Sequence, residues 1–221
     1  MKPRDSFDET QRRYWAKASF RSPLDPVVAA YADPKIEFLN QHVSFSNRRV
    51  LEVGCGNGTF TIRLAKKAAA VIGVELSSHM LGDNPHKLCV VGTANGLPFP
   101  DQSFDIVFAA NLLHHVSTPH EVLCELRRCS ARYLMLVEPN RWNPLMFGLG
   151  LVVRAERGTL RSSRRTLLRQ VEHAGLRIVA HTTTGMISQN RTPGFVVPWL
   201  KRFDREMALG EYIVICAERV V

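Results

Sequence analysis

Apolar positions along the chain recur in two alternating rhythms. Short runs rich in β-branched and aliphatic residues, Arg49–Val53, Ala70–Glu75, Leu88–Val91, Phe104–Ala109 and Arg132–Glu138, predict five strands. Helical spacing fills most of the gaps. Thr59–Lys67 offers Phe60, Ile62, Leu64 and Ala65 to a buried face, and a later helix opens at Thr118-Pro119, where the threonine can cap and the proline suits the first turn. The first forty-odd residues read as helical, with Tyr14 and Trp15 set among charges. After the fifth strand the rhythm changes to an arginine-rich apolar segment over residues 141–162. A helix over Ser163–Ala174, stopped by Gly175, and two more strands, Leu176–Ala180 and Glu211–Cys216, complete the chain.

Strand–helix repeats of this kind close through right-handed crossovers into a parallel sheet with helices on both faces. The expected fold is therefore α/β: a Rossmann-like, seven-stranded, mostly parallel sheet with an N-terminal helical cap and a lid insertion after the fifth strand. Residues 1–47 form the cap, 48–140 the ligand-binding core, and 141–221 the lid or acceptor segment with the closing strands of the same domain.

The stretch Leu51-Glu-Val-Gly-Cys-Gly-Asn-Gly58 puts Gly54, Gly56 and Gly58 at the carboxyl end of the first strand, where open α/β sheets bind ligands. Glycine there permits positive φ and lets a ligand touch the backbone. Dinucleotides and S-adenosylmethionine both use such a turn. A dinucleotide fingerprint would place its third glycine at position 59, which is Thr59. A pyrophosphate would also be repelled by Glu52, whereas the ammonium and sulfonium of S-adenosylmethionine would be attracted. Glu75, ending the second strand, is placed to accept from ribose hydroxyls in either ligand class.

In these motifs the sequence resembles the class I S-adenosylmethionine-dependent methyltransferases, over about residues 48–140. Val50-Leu-Glu-Val-Gly-Cys-Gly-Asn-Gly58 is similar to their first motif, Val74-Glu75 to the second, and the run from Val91 to Asp105 to their adenine loop. The resemblance implies S-adenosylmethionine as cofactor, with Glu52 and Gly54 facing its methionine part and Glu75 its ribose. Thr93 and Ala94 would face the adenine edge, and Asn111 would lie near the methyl donor. Cys55, Gly56, Gly58, Leu76 and Leu112 complete the implied contact set. One departure is Thr93, where the family usually carries an acid; a hydroxyl accepts from the adenine amino group more weakly than a carboxylate does.

Methyl transfer is an in-line displacement whose main demand is positioning in a dry pocket. No metal is required, and His42, His79, His86, His120, His173 and His181 show no metal-ligand spacing. A hydroxyl or ammonium acceptor needs a base, and Ala110-Asn-Leu-Leu-His-His115 sets His115 and His114 just past the fourth strand as the catalytic candidates. Glu138, ending strand five, is a further candidate. Leu145, Leu149, Val152 and Val153 fall on one helical face, with Arg154, Arg157 and Arg161 on another. Apolar residues flanked by arginines suit a lid over a small-molecule or lipid-linked acceptor, or a segment touching an anionic membrane surface.

The chain has 221 residues, a net charge of +9 and a pI near 9.7. That balance raises nucleic acid as a partner, and an RNA methyltransferase using residues 141–205 is the alternative function. The excess lies outside the glycine-rich half: residues 141–169 hold seven arginines against Glu156 alone. The Ala110-Asn-Leu-Leu exit from strand four also differs from the sequences of base-methylating enzymes, so nucleic acid is disfavoured. A subunit that binds the donor without turnover is a third reading. Five cysteines without C-x-x-C spacing predict reduced thiols rather than a disulfide framework or zinc site. The charged N-terminus and the absence of long apolar runs predict a soluble, cytoplasmic protein, with peripheral contact at the inner membrane surface as the variation.

Overall fold

Alternation of side chains through a strand decides which face of the sheet each residue serves, and here both faces are apolar. In the computed structural model, which describes residues 3–203 and 205–220, strand β4 (Phe104–Ala110) sends Ile106, Phe108 and Ala110 to one core and Val107 and Ala109 to the other. Met1 and Lys2 of the charged N-terminus lie outside the described residues. Strand β1 (Arg49–Val53) does the same with Val50 against Leu51 and Val53. By the same alternation Glu52 belongs to the Val50 face.

The sheet order is β3-β2-β1-β4-β5-β7-β6, with β2 Ala70–Glu75, β3 Cys89–Val91, β5 Ser130–Pro139, β6 Leu176–Thr184 and β7 Tyr212–Arg219. Strands β1 to β5 pair in parallel, and β7 inserts antiparallel between β5 and β6. The expected seven-stranded, mostly parallel sheet is thus observed. Chain direction along the order reverses between β1 and β4, and such a switch point opens a crevice at the carboxyl ends of those two strands.

On the Val50 face lies helix α2 (Pro26–His42), begun by Asp25, whose carboxylate accepts from the Val27 amide at 2.7 Å. It buries Tyr31, Ile36 and Leu39 against the sheet despite Pro34 in its interior. The opposite face carries α5 (Pro119–Cys129) and α7 (Arg164–His173). Thr118 stands at the N-cap position of α5, but its hydroxyl makes no capping bond; it accepts from Asn95 Nδ2 at 3.1 Å instead. The helix expected over Thr59–Lys67 is only α3, Thr61–Ala65, because the glycine turn occupies the residues before it. Between α3 and α5 lies the short α4 (Ser78–Gly82).

Two segments outside this frame reach the crevice. Helix α1 (Pro3–Trp15) is tied by Gln11, whose Nε2 donates to Ala155 O at 2.7 Å, and by Trp15 O, which accepts from Ser77 Oγ at 3.0 Å. The segment after β5 forms α6 (Pro144–Val152), capped by Asn143, and then 3-10 turns over Arg154–Arg161. A single helical face over residues 145–153 is not observed: Leu145 and Val152 are exposed, Met146 and Gly150 are buried, and Val153 is already the cap. Gly150 lets α6 lie against Leu160, and a Cβ on Gly158 would run into the His114 carbonyl. Gly158→Ala should therefore destabilise the protein by about 1–3 kcal/mol, read as a lower urea midpoint at unchanged slope.

Candidate active site

The turn after β1 is built on three left-handed glycines, with φ of +78° at Gly54, +51° at Gly56 and +93° at Gly58. The Gly54 and Cys55 amides both donate to Val74 O, at 2.8 and 3.1 Å, which folds the turn over the end of β2. A Cβ at Gly54 would press on Leu112 at 3.2 Å. Glu75 then fixes the turn from below: its Oε2 accepts from the Gly56 amide at 3.1 Å and its Oε1 from the Ser77 amide at 2.8 Å.

The cavity above this turn gathers nearly every residue expected to bind the cofactor: Glu52, Gly54, Cys55, Gly56, Glu75, Leu76, Thr93, Ala94, Asn111 and Leu112, with His115 at its far end. Gly58 is not among its walls; it lies behind the turn, packed on Asn84 and Pro85, where its role is backbone shape. Thr93 is exposed, and its hydroxyl accepts from the Asn95 amide at 3.4 Å. Helix α1 adds Gln11, Arg12 and Trp15, and Phe20 and Gln189 join from loops. None of these five carries a motif; only the Tyr14-Trp15 pair among charges hinted that α1 meets something.

Glu52 is 2% exposed, its Oε2 has no hydrogen-bond partner, and burial pushes its pKa up to about 8. Burial thus favours the protonated form of the side chain that the sequence reading takes as an anion. Glu75 is also raised by burial, against which the Ser77, Gly56 and Leu76 amides work.

A second cavity of about 330 Å³ adjoins the first, within the size range of small-molecule sites. The two share Trp15, Phe20, Asn111, His115 and Gln189. Its other walls include Tyr14, His114, Met146, Leu149, Glu156, Arg191 and Tyr212. The histidines sit in a 3-10 turn, Leu113–His115, set by Asn111 at φ +53° and by Glu138. Glu138 Oε1 accepts from the Leu112 and Leu113 amides at 2.8 Å each, and its Oε2 meets His114 Nδ1 at 2.7 Å. At 1% exposure and with both oxygens engaged, Glu138 holds this turn in place.

Burial works against charge on His114, but Glu138 and Glu156, the latter 3.4 Å from Nε2, outweigh it and hold its pKa up at about 9. Burial and the neighbouring His114 push His115 down to about 3. Glu156 is held down at about 2, since its histidine partners overcome burial. The dyad is split into one cationic and one neutral imidazole. Ligand atoms of His114, His115 and Glu156 lie within 4.8 Å of one another, a spacing a metal ion could bridge and one that adjacency in sequence did not foretell. The proton on His114 competes with such an ion.

Residues 51–132 match the family described as "Methyltransferase domain". Those residues are a methyltransferase domain, set in the fold of solved S-adenosylmethionine-dependent methyltransferases. Among curated proteins, the chain is 29% identical over 148 residues to a ubiquinone biosynthesis O-methyltransferase of Chromobacterium violaceum, covering 62% of this chain and 59% of that one. It spans less than two thirds of the length of the curated relatives it matches. Among solved structures, a SAM dependent methyltransferase from Aquifex aeolicus superposes with a TM-score of 0.64 at 18% identity, covering 89% of this chain and 94% of the other. A SAM-dependent methyltransferase, possible histamine N-methyltransferase, from Thermotoga maritima gives 0.64 at 19%, covering 87% and 98%. At such identity these two likenesses speak to the fold.

The residues fit that cofactor. Glu52 Oε2 is a buried acceptor awaiting a donor, and each Glu75 oxygen keeps a lone pair beyond its amide bonds. S-adenosylmethionine is thus a ligand these residues suit.

Because the His114 pKa lies above its ordinary 6.5, its pairing contributes stability in full below that pH and loses it as pH rises through about 9. Glu156, lowered from 4.5, contributes above 4.5 and loses it as pH falls through about 2. Replacing Glu138 by Gln should cost about 3–5 kcal/mol in denaturant unfolding at neutral pH and abolish the alkaline loss of stability.

Proposed function

We propose that this protein transfers a methyl group to a hydroxyl oxygen on an apolar small molecule held in the second cavity, with His115 receiving the hydroxyl proton. The observation that supports it most directly is that His115 stands in the wall common to both cavities. When bound, S-adenosylmethionine supplies an electrophilic methyl on a positively charged sulfur. Glu52 answers the ligand's ammonium, Glu75 the ribose hydroxyls, and Ala94 with the Thr93 region the adenine edge. Asn111 donates Nδ2 to the Tyr31 hydroxyl at 2.8 Å, which keeps its backbone at the junction of the cavities.

His114 holds its proton up to about 9 and has no lone pair to offer, so the base is His115. A pKa of about 3 is low for a base at rest. It suffices here because a hydroxyl oxygen becomes strongly acidic as its bond to the methyl forms, and proton transfer need only keep pace. Glu156 then faces the new imidazolium from 4.0 Å.

The named relatives are O-methyltransferases of ubiquinone biosynthesis, which supports a hydroxyl-bearing, lipid-linked acceptor. Exposed apolar residues stand where such an acceptor would arrive: Trp142, Leu145, Leu151 and Val152 around α6, and Phe195 and Trp199 near helix α8 (Val197–Leu200). Arg154, Arg157, Arg161, Lys201 and Arg202 are exposed among them, a pairing suited to an anionic bilayer surface. No described helix is long and apolar enough to cross a membrane. Residues 141–162 act as a lid that admits the acceptor, and α1 as a cap over the donor.

Incubation with a CD3-labelled donor and phenols of graded alkyl-tail length should place the label on oxygen, with tailed phenols preferred; labelling only of amines would reject the reading. His115→Gln should lower kcat by about a hundredfold or more. Co-sedimentation with phosphatidylglycerol vesicles should exceed that with phosphatidylcholine and fall with salt. Since Glu52 must lose a proton to meet the ammonium, affinity for S-adenosylhomocysteine should rise about tenfold between pH 6 and pH 7, with proton release in calorimetry. Glu52→Gln should flatten that slope and weaken binding above pH 8 by on the order of tenfold or more.

A further inference from the structure

Gly73, in the middle of β2, has a reason to lack a side chain that the methyl donor does not explain. A Cβ there would stand 2.7 Å from the sulfur of Cys55 and 2.7 Å from the sulfur of Cys89. The two thiols therefore share the space above one glycine. Cys55 reaches it from the donor turn, and Cys89 from β3, where it pairs with Gly73 in the sheet register. They are hydrogen-bonded to each other.

We propose that Cys55 and Cys89 are a peroxide-oxidised dithiol, whose disulfide draws the donor turn toward β3 and weakens cofactor binding. The coupling rests on the reading of that turn as the donor site; the disulfide itself does not. Only these two of the five cysteines meet in this way among the described contacts, and all five are free thiols.

The two sulfurs are not equivalent. The Cys55 thiol donates to Cys89 and, with His86 and Lys87 nearby, holds the Cys89 pKa down at about 7 against burial. The same bond, with burial, pushes Cys55 far up. Cys89 lies on an edge strand and is partly accessible, while Cys55 is buried at 4%. This is the division expected of an attacking and a resolving cysteine. The Cys89 thiolate attacks one peroxide oxygen, the O–O bond breaks, and the departing hydroxide takes a proton to leave as water. Cys55 then attacks the sulfenic sulfur, giving up its thiol proton as the S–O bond breaks and a second water leaves. Two thiols lose two electrons, and the peroxide is reduced to two waters.

Bonding distance is shorter than any hydrogen bond between the sulfurs, so the turn has to move for the bond to close. Cys55 lies between Gly54 and Gly56, whose amides are pinned to Val74 O and Glu75 Oε2. Displacing the turn disturbs the carboxylate that meets the ribose.

The test uses the full chain carrying Cys124→Ser, because Cys124 is exposed and shares the tryptic peptide Leu88–Arg127 with Cys89. Hydrogen peroxide should remove two hydrogens from the intact mass and join that peptide to Val50–Arg63 on a non-reducing map. Affinity for S-adenosylhomocysteine should fall on the order of tenfold and return with dithiothreitol. The same treatment of Cys89→Ser should leave affinity unchanged. Hydrogen exchange at the Gly56 amide, followed without ligand, should quicken on oxidation as its bond to Glu75 is pulled apart, and this arm stands even if the reduced protein fails to bind S-adenosylhomocysteine, which would reject the donor reading instead. Peroxide that leaves both thiols free, takes Cys89 to the sulfinic acid without a cross-link, or forms the disulfide with exchange and affinity unchanged overturns the proposal.

Discussion

The site depends on one buried carboxylate at the end of β5. Glu138 accepts from three successive backbone amides after β4, those of Leu112, Leu113 and His114, and from the ring of His114, so the chain leaving the sheet is held by a single side chain instead of by a ladder. Asn111 makes this possible by taking a left-handed φ of +53°, which turns the following amides back toward β5. Asparagine is among the few residues that tolerate that conformation, and its side chain is fixed by Tyr31. Break the carboxylate and three amides, one imidazole and the junction of the two cavities lose their common anchor.

Burial works differently on the acids around the site, and the difference is chemical. Glu156 has the His114 imidazolium beside it, so its charge is matched there. Glu52 has no such partner, and its proton is the substitute. A cationic ligand at Glu52 would take the place of that proton.

Local patterns made the sheet legible. Runs such as Arg49–Val53 and Ala70–Glu75 are strands with the expected bounds, because their neighbours on both faces are dictated by period-two alternation and glycine stops. The gathering of Glu52, Gly54, Glu75, Thr93 and Asn111 around one cavity was legible for the same reason: they sit at strand ends within one stretch of chain. Gly58 follows the same motif yet packs on Asn84 and Pro85 behind the turn, because a glycine at positive φ also serves backbone shape. Trp15, Gln11 and Gln189 escaped notice because they arrive from α1 and a distant loop, and no local spacing announces a contact across more than a hundred residues. Glu156 was counted merely as the lone acid among arginines, and its partner histidines lie some forty positions earlier.

That asymmetry has a physical origin in how the two cavities are made. The cavity above the glycine turn is walled largely by backbone turns whose positive φ favours glycine, or asparagine at position 111, so its sequence is constrained at each step. The adjoining cavity is closed by side chains from α1, α6 and the 3-10 turns after it, which need only volume, polarity and a place to fold back. Two glycines supply that place, Gly150 against Leu160 and Gly158 against the His114 carbonyl. The second of these contacts brings the segment carrying Glu156 onto the very turn that bears the histidines. A change in residues 141–162 would therefore alter the acceptor's surroundings and the charge on His114 together, while leaving the glycine turn and its carboxylates as they are.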